Sequence, residues 1–265
     1  MINQKKKVGN SGVFTELVLP VLFPLLLLFV WETLSTRRII NPAILPAPSS
    51  IFSTCWSMLT SGEIARHMRM SAFRVCSGFL LGSAGGLVLG ILIGLFHKID
   101  RALTLIIGVL RPIPMIALIP LFILWMGIDE TSKIAVITVG SFWSVLINTI
   151  YGIKSVDKKL VEVAFILKKS RMETLLKIVL PAALPSIFAG IRLGASNAWA
   201  CVVAAEMIAA SSGIGYLVMF AREVSQPDVM LVGILMIGLF GLLIDFLLVH
   251  LEKRLLRWNE TETKD

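Results

Sequence analysis

Charge is scarce in this chain. Only 16% of its 265 residues are Asp, Glu, Lys or Arg, against about a quarter in soluble domains. Such a balance argues against a water-soluble globule. Cysteine and histidine each occur three times. Cys55, Cys76 and Cys201 show no metal-like spacing, and an odd count argues against a disulfide framework. His67, His97 and His250 are scattered, which gives metal catalysis no support. No Gly-Lys dipeptide occurs, so the phosphate loop G-x-x-x-x-G-K-[ST] is excluded and the chain does not hydrolyse ATP by that motif. H-E-x-x-H and G-x-S-x-G are also missing, which leaves an intramembrane enzyme without a nucleophile, base or metal set.

Apolar residues are abundant: 56% of the chain, with a mean hydropathy of +0.86. They gather into six runs, at 14–34, 72–96, 102–126, 132–151, 190–210 and 229–251. Each is about long enough to cross ~30 Å of hydrocarbon. The expected fold is an all-α polytopic membrane protein with six transmembrane helices. The run from Phe14 to Leu34 follows Lys5, Lys6 and Lys7 as a signal peptide would. It is too long for an ordinary signal core and no A-x-A-like site follows, so it reads as a retained first span. The third run is interrupted by Arg111, Pro112, Pro114 and Pro120, and backbone freed by proline must be satisfied inside protein. The net charge of +8 reads as positive-inside bias rather than nucleic-acid binding. With both termini cytoplasmic, the inner loops hold Lys98, Lys154, Lys158, Lys159, Lys168 and Lys169 among others. The outer segments hold fewer basic residues, including Arg37, Arg38, Arg66 and Arg69.

Two patterns stand out within this frame. Gly78, Gly82, Gly86, Gly90 and Gly94 recur every four residues and share one helix face. Small faces let helices approach closely, either within one subunit or at a dimer seam. The second pattern is a charged island, "EVAFILKKSRMETLLKIVLP", at 162–181. Asp157 can cap a short helix with Leu160, Val161, Ala164 and Phe165 on one side. Ser170 and Glu173 form an S-x-x-E capping box that starts a second helix, whose Met172, Leu175, Leu176 and Val179 make an apolar stripe. Pro181 is expected to end that helix, and Pro185 to prevent an unbroken continuation. A helical hairpin at the inner membrane surface follows. Its basic side could equally rest on anionic lipid headgroups.

Four charges fall within or beside the spans: Arg111, Arg192, Glu206 and Asp245. Such residues face protein or a water-filled cavity. Asp245 lies ~16 residues, or about 24 Å, into the last span, and Arg192 lies at a similar depth, so a structural pair is expected. Glu206 could brace the Ser211-Ser212-Gly213 segment or pair with Arg111. Arg111, near mid-membrane, could instead attract an anionic solute, since guanidinium matches sulfonate and carboxylate oxygens.

The island also resembles the coupling signature of permease subunits from ATP-binding-cassette (ABC) importers: Glu-Ala-Ala, three residues, Gly, nine residues, then Ile-x-Leu-Pro. Here Glu162, Val163, Ala164, Ile178, Leu180 and Pro181 stand at that spacing. Val163 replaces an alanine and Lys168 the glycine, which leaves open whether Lys168 forms a turn or extends the first helix. "LPAPSSIF" (45–52), "LRPIPMIALIPLFILWMG" (110–127), "AAEMIAASSGIGYL" (204–217) and "GLLIDFLLVHLEKRLLRW" (241–258) are similar to the nitrate, sulfonate and taurine branch of these permeases.

The resemblance implies an N-terminal part at 1–71, a permease domain at 72–258 with a coupling loop at about 152–189, and a polar tail at 259–265. It implies an ATPase-coupling hairpin between the fourth and fifth spans, made by Glu162, Val163, Ala164, Lys168, Ser170, Glu173, Ile178, Leu180 and Pro181. It also implies a pathway or gate that includes Arg111, Pro114, Glu206, Gly213 and Gly215, the two glycines lying with Tyr216 in a short external re-entrant element. The expected partners are two cytoplasmic ATPase subunits, an external or periplasmic solute-binding protein, a second permease copy and membrane lipid. No cofactor is expected on this chain; ATP and Mg would sit in the ATPase. The expected location is a prokaryotic plasma membrane. Rival readings are a vitamin-precursor permease of the same class and an ion-coupled transporter that uses Glu206, Asp245 and Arg111.

Overall fold

A computed structural model describes residues 10–256 of the chain, and every regular element among them is helical. Lys5, Lys6, Lys7 and the 259–265 tail lie outside the described residues. The helices are α1 (Asn10–Thr36), α2 (Pro48–Thr60), α3 (Glu63–Leu95), α4 (His97–Leu110), α5 (Met115–Met126), α6 (Glu130–Lys154), α7 (Lys158–Ile166), α8 (Arg171–Thr174), α9 (Leu180–Ala209), α10 (Ile214–Glu223) and α11 (Pro227–Leu255). Four of the described helices are long and apolar enough to cross a membrane: α3, α6, α11 and a continuous helix from Met172 to Ala209. The bent pair α4–α5 makes a fifth if counted as one span.

The helix that carries the second apolar run begins at Glu63, ahead of residue 72. Two expectations are corrected. The third run is no straight crossing, because α4 and α5 meet at 96°. Pro114 lacks an N–H and disfavours helical backbone at the residue before it. It sits extended at ψ 125°, and α5 restarts after it. Finally, Pro181 does not end the helix that the island starts. A π-turn at Leu175–Val179 precedes it, with the Leu180 N–H donating to Leu175 O, five residues back. Such a widened turn absorbs the irregularity that proline imposes, and α8, the π-turn and α9 run on as one helix.

The glycine face of α3 packs on α6 within this chain. A Cβ on Gly78 would stand 2.6 Å from Ile137 Cβ, and one on Gly90 2.6 Å from Thr149 Cβ. At Gly82 it would collide with the Ser141 hydroxyl and the Thr138 carbonyl. An adjoining face of α6 receives α9 in the same way: a Cβ on Gly152 would lie 2.8 Å from Ser186 Cβ, and one on Gly190 2.6 Å from Asn148 Cβ. A central apolar cluster of Val136, Ile137, Ala198 and Val202 fills the joint. Trp199 Nε1 then donates to Ile237 O at 3.0 Å, which ties α9 to α11. Leu235, Leu239, Leu242, Phe246 and Leu247 of α11 stay exposed, an apolar surface suited to lipid.

Gly82→Ala is therefore expected to lower stability by about 1–3 kcal/mol through overpacking against backbone. Gly238→Ala, where nothing lies within 4 Å, should be neutral or stabilising by up to about 1 kcal/mol. Thermal unfolding of the detergent-solubilised protein compares the two. Equal midpoints would contradict the close α3–α6 contact.

Candidate functional site

The island forms a hook at one end of the bundle. Asp157 caps α7 by accepting the Lys159 N–H at 2.9 Å. At the other end of α7 the Lys169 N–H donates to Ala164 O and the Lys168 N–H to Phe165 O, each at 3.0 Å. These paired bonds make a Schellman motif, which demands a left-handed residue after the helix. That residue is Lys168, at φ 51°. It stands where the signature has glycine, so it forms the turn and does not extend α7. The Glu173 N–H then donates to Ser170 Oγ at 3.1 Å and the Ser170 N–H to Glu173 Oε2 at 3.3 Å, the reciprocal bonds of a capping box.

The hook presents an uncovered mixed surface. Ala164 is fully buried, yet Phe165 is 83% and Ile166 75% exposed. Glu162, Val163, Lys168 and Ser170 also face outward. An open groove of about 500 Å³ runs between the hook and the end of α3, lined by Phe96, Val161, Phe165, Met172 and Leu175. At the root, Ile178, Leu180 and Pro181 are half-buried, and Val179 packs with Ile153, Ala183 and Ile187.

The opposite end holds a buried charge network around Arg74, a residue that sequence reasoning missed. Its guanidinium is fully enclosed. Nη1 donates to Glu206 Oε1 at 2.7 Å and to Ser212 O at 2.6 Å. Nε and Nη2 donate to the two Glu130 oxygens at 2.6 and 2.7 Å, a bidentate pairing. Ser71 Oγ lies 2.8 Å from Glu206 Oε1 and accepts the Ile214 N–H at 2.9 Å. The Gly215 N–H donates to Glu206 Oε2 at 2.9 Å, and the Gly213 N–H to His67 Nδ1 at 3.1 Å. Gly213 has φ 115°, and a Cβ there would collide with the Glu206 carboxylate. Glu206 thus braces the 211–215 segment and the start of α10. It does not pair with Arg111. The one available signal for Arg74 was a lone arginine at the third position of an apolar run.

Arg192 and Asp245 form a two-point pair at 2.6 and 3.0 Å, half-exposed on the side of the bundle. Arg111 lies at the α4–α5 bend and, among the described residues, has no ion-pair partner. Together with Pro114 it lines an open cavity of about 290 Å³ that α6 and α9 complete. The structure thus brings Glu206, Gly213 and Gly215 together at one end and places Arg111 and Pro114 apart from them, at the bend.

Removing the Arg74 charge strands buried Glu206. Arg74→Met should cost about 3–5 kcal/mol, read as a lower thermal midpoint; an unchanged midpoint would show that the network carries no stability. Lys168→Gly relieves a left-handed side chain and should stabilise the turn by up to about 1 kcal/mol. Amide exchange of 165–169 reads this, with slower exchange expected and faster exchange contrary.

A family of binding-protein-dependent transport system inner membrane components matches residues 86–257. Over 91% of this chain and 87% of the relative, the sequence is 40% identical to SsuC of Bacillus subtilis, named as an aliphatic sulfonates transport permease protein. It is 34% identical to the taurine transport system permease protein TauC of Escherichia coli, over 88% and 86%. It is 33% identical to the riboflavin transport system permease protein RibX of Chloroflexus aurantiacus, over 91% and 90%. In structure it is similar to a chain of the inward-facing MetNI methionine ABC transporter, with a TM-score of 0.61 at 16% identity over 71% of this chain and 95% of that one. The chain thus belongs to the family of binding-protein-dependent transport system inner membrane components.

Proposed function

We propose that this chain is the membrane-spanning subunit of an ATP-driven importer for a small organic anion, with an aliphatic sulfonate as the favoured cargo. The observation that carries the reading is the hook: Phe165 and Ile166 stand exposed beside Lys168 and Lys169 on a turn that is hydrogen-bonded on both sides. A well-ordered, uncovered, amphipathic surface suits docking into a groove of a partner protein. The partner in this reading is an ATPase that binds ATP and Mg, with two copies serving two permease chains. The hook and both termini would then be cytoplasmic. The α10 end would face the solute-binding protein, α1 would supply the first of six spans, and α4–α5 would count as one bent span.

The cargo follows from charge and kinship. The relatives include permeases named for aliphatic sulfonates, and the cation at the bend, which has no ion-pair partner among the described residues, is an arginine. Kinship with RibX supports a second reading, a vitamin or vitamin-precursor permease, but an arginine at the bend favours an anion. An ion-coupled transporter is less well supported, because Glu206 and Asp245 are each tied to an arginine and neither is left as a relay.

Glu162→Lys reverses a charge on the outer face of α7. ATPase co-purification and ATP-dependent uptake should both fall at least about tenfold, an effect of ~1.4 kcal/mol at one interface position, while membrane insertion is unchanged. Full co-purification, or full uptake with no ATP supplied, would overturn the reading.

A further inference from the structure

The cavity at the α4–α5 bend combines features that specify a ligand class. It lies beside Ser144 and Asn197, near the middle of α6 and α9 by residue count, so it sits at mid-depth of the bundle. Among the described residues, no aspartate or glutamate lines it. The Arg111 side chain has no hydrogen-bond partner among the described residues, and charges at this depth that lack a partner mark solute or ion pathways. Asn197 Nδ2 donates to Ser144 Oγ at 2.8 Å, which leaves the serine proton and the second amide proton available to donate. Trp143 also lines the cavity, and its indole Nε1 is buried with no partner.

The start of α5, which also lines the cavity, adds further positive potential. Met115 and Ile116 are the first residues of α5, ahead of the first turn bond, from the Ala117 N–H to Pro114 O at 3.0 Å. Their amides therefore lie at the electropositive end of a 12-residue helix, where anions are stabilised. Their side chains, with those of Ile113 and Ala200, supply apolar surface. At ~30 Å³ per water, about 290 Å³ holds a solute on the order of ten heavy atoms. Donors, one guanidinium, no acid and an apolar wall together fit a short hydrocarbon with a compact anionic head.

We propose that this cavity is a transit site for small aliphatic oxyanions, in which Arg111, Ser144 and Asn197 hold the sulfonate or carboxylate head against an apolar wall, and that it disfavours solutes bearing an ammonium group. The proposal rests on the importer reading for its cargo and extends it to a named site and charge rule. A zwitterion brings a positive charge that no acidic side chain in the cavity can meet, so an alkanesulfonate binds better than its amino-substituted counterpart.

The test uses Ala200→Cys, at an exposed position on the cavity wall, in full-length chain co-expressed with its ATPase and with Cys55, Cys76 and Cys201 replaced by alanine. Two thiol reagents are compared in membrane vesicles: anionic 2-sulfonatoethyl and cationic 2-trimethylammonioethyl methanethiosulfonate, each normalised to its rate with mercaptoethanol. The anionic reagent should react at least about fivefold faster, the factor that ~1 kcal/mol of charge–charge attraction gives. The preference should vanish in Arg111→Gln and survive in Arg111→Lys. Ethanesulfonate should protect the thiol more than taurine does. No preference, a preference that survives Arg111→Gln, or no modification by either reagent overturns the site; equal protection overturns the ammonium rule. ATPase co-purification is read from the same vesicles. Its loss counts against the importer reading, while the charge preference decides the site independently.

Discussion

The near-contact of backbones along α3, α6 and α9 is the constraint on which the other features depend. In lipid, helices gain little by hiding apolar surface from one another, so association rests on close packing and hydrogen bonds. Glycines at four-residue intervals on α3, and at Gly152, Gly190 and Gly194 on the α6–α9 joint, allow that approach. The register they set brings three helices together at one end, where their charges meet: Arg74 from α3, Glu130 and Lys133 from α6, and Glu206 from α9. A shift of one turn, about 5.4 Å, would separate these charges and leave Glu206 buried without a counter-charge. The glycine register and the ion network therefore specify one another.

Two arginines in apolar surroundings meet opposite fates. Arg74 is wholly enclosed and makes five hydrogen bonds to two carboxylates and Ser212, so its charge is neutralised within the fold. Arg111 sits at a break where two helices part by 96°, beside a cavity. The first is architecture. The second is a charge left available, and the bend that proline imposes is what opens the space beside it.

Much of this was legible in the sequence, and the failures have physical causes. Local signals were readable because they act within four residues: Asp157 ahead of α7, the Ser170–Glu173 spacing and the glycine period on α3. Depth counting was enough to suggest that Arg192 and Asp245 lie at one level. The Arg74 network was not legible, since its partners lie 56 and 132 residues away and an arginine opening an apolar run looks like a membrane-edge residue. The span at Pro181 was misread because a π-turn accommodates the proline, and no residue pattern announces that turn. The bend at Arg111–Pro114 was visible as an interruption, but its angle depends on what α6 and α9 allow.

One helix from Met172 to Ala209 links the Ser170–Glu173 cap to Glu206. At 1.5 Å per residue it is a shaft roughly 55 Å long, with its handle in the hook and its far tip under α10. Beyond the π-turn at Leu175–Val179 the shaft packs against both α6 and α11. In the importer reading, a push on the hook would be carried along this shaft toward the carboxylate that binds the Gly215 N–H, and the five widened residues before Pro181 are where such torque would most easily be lost.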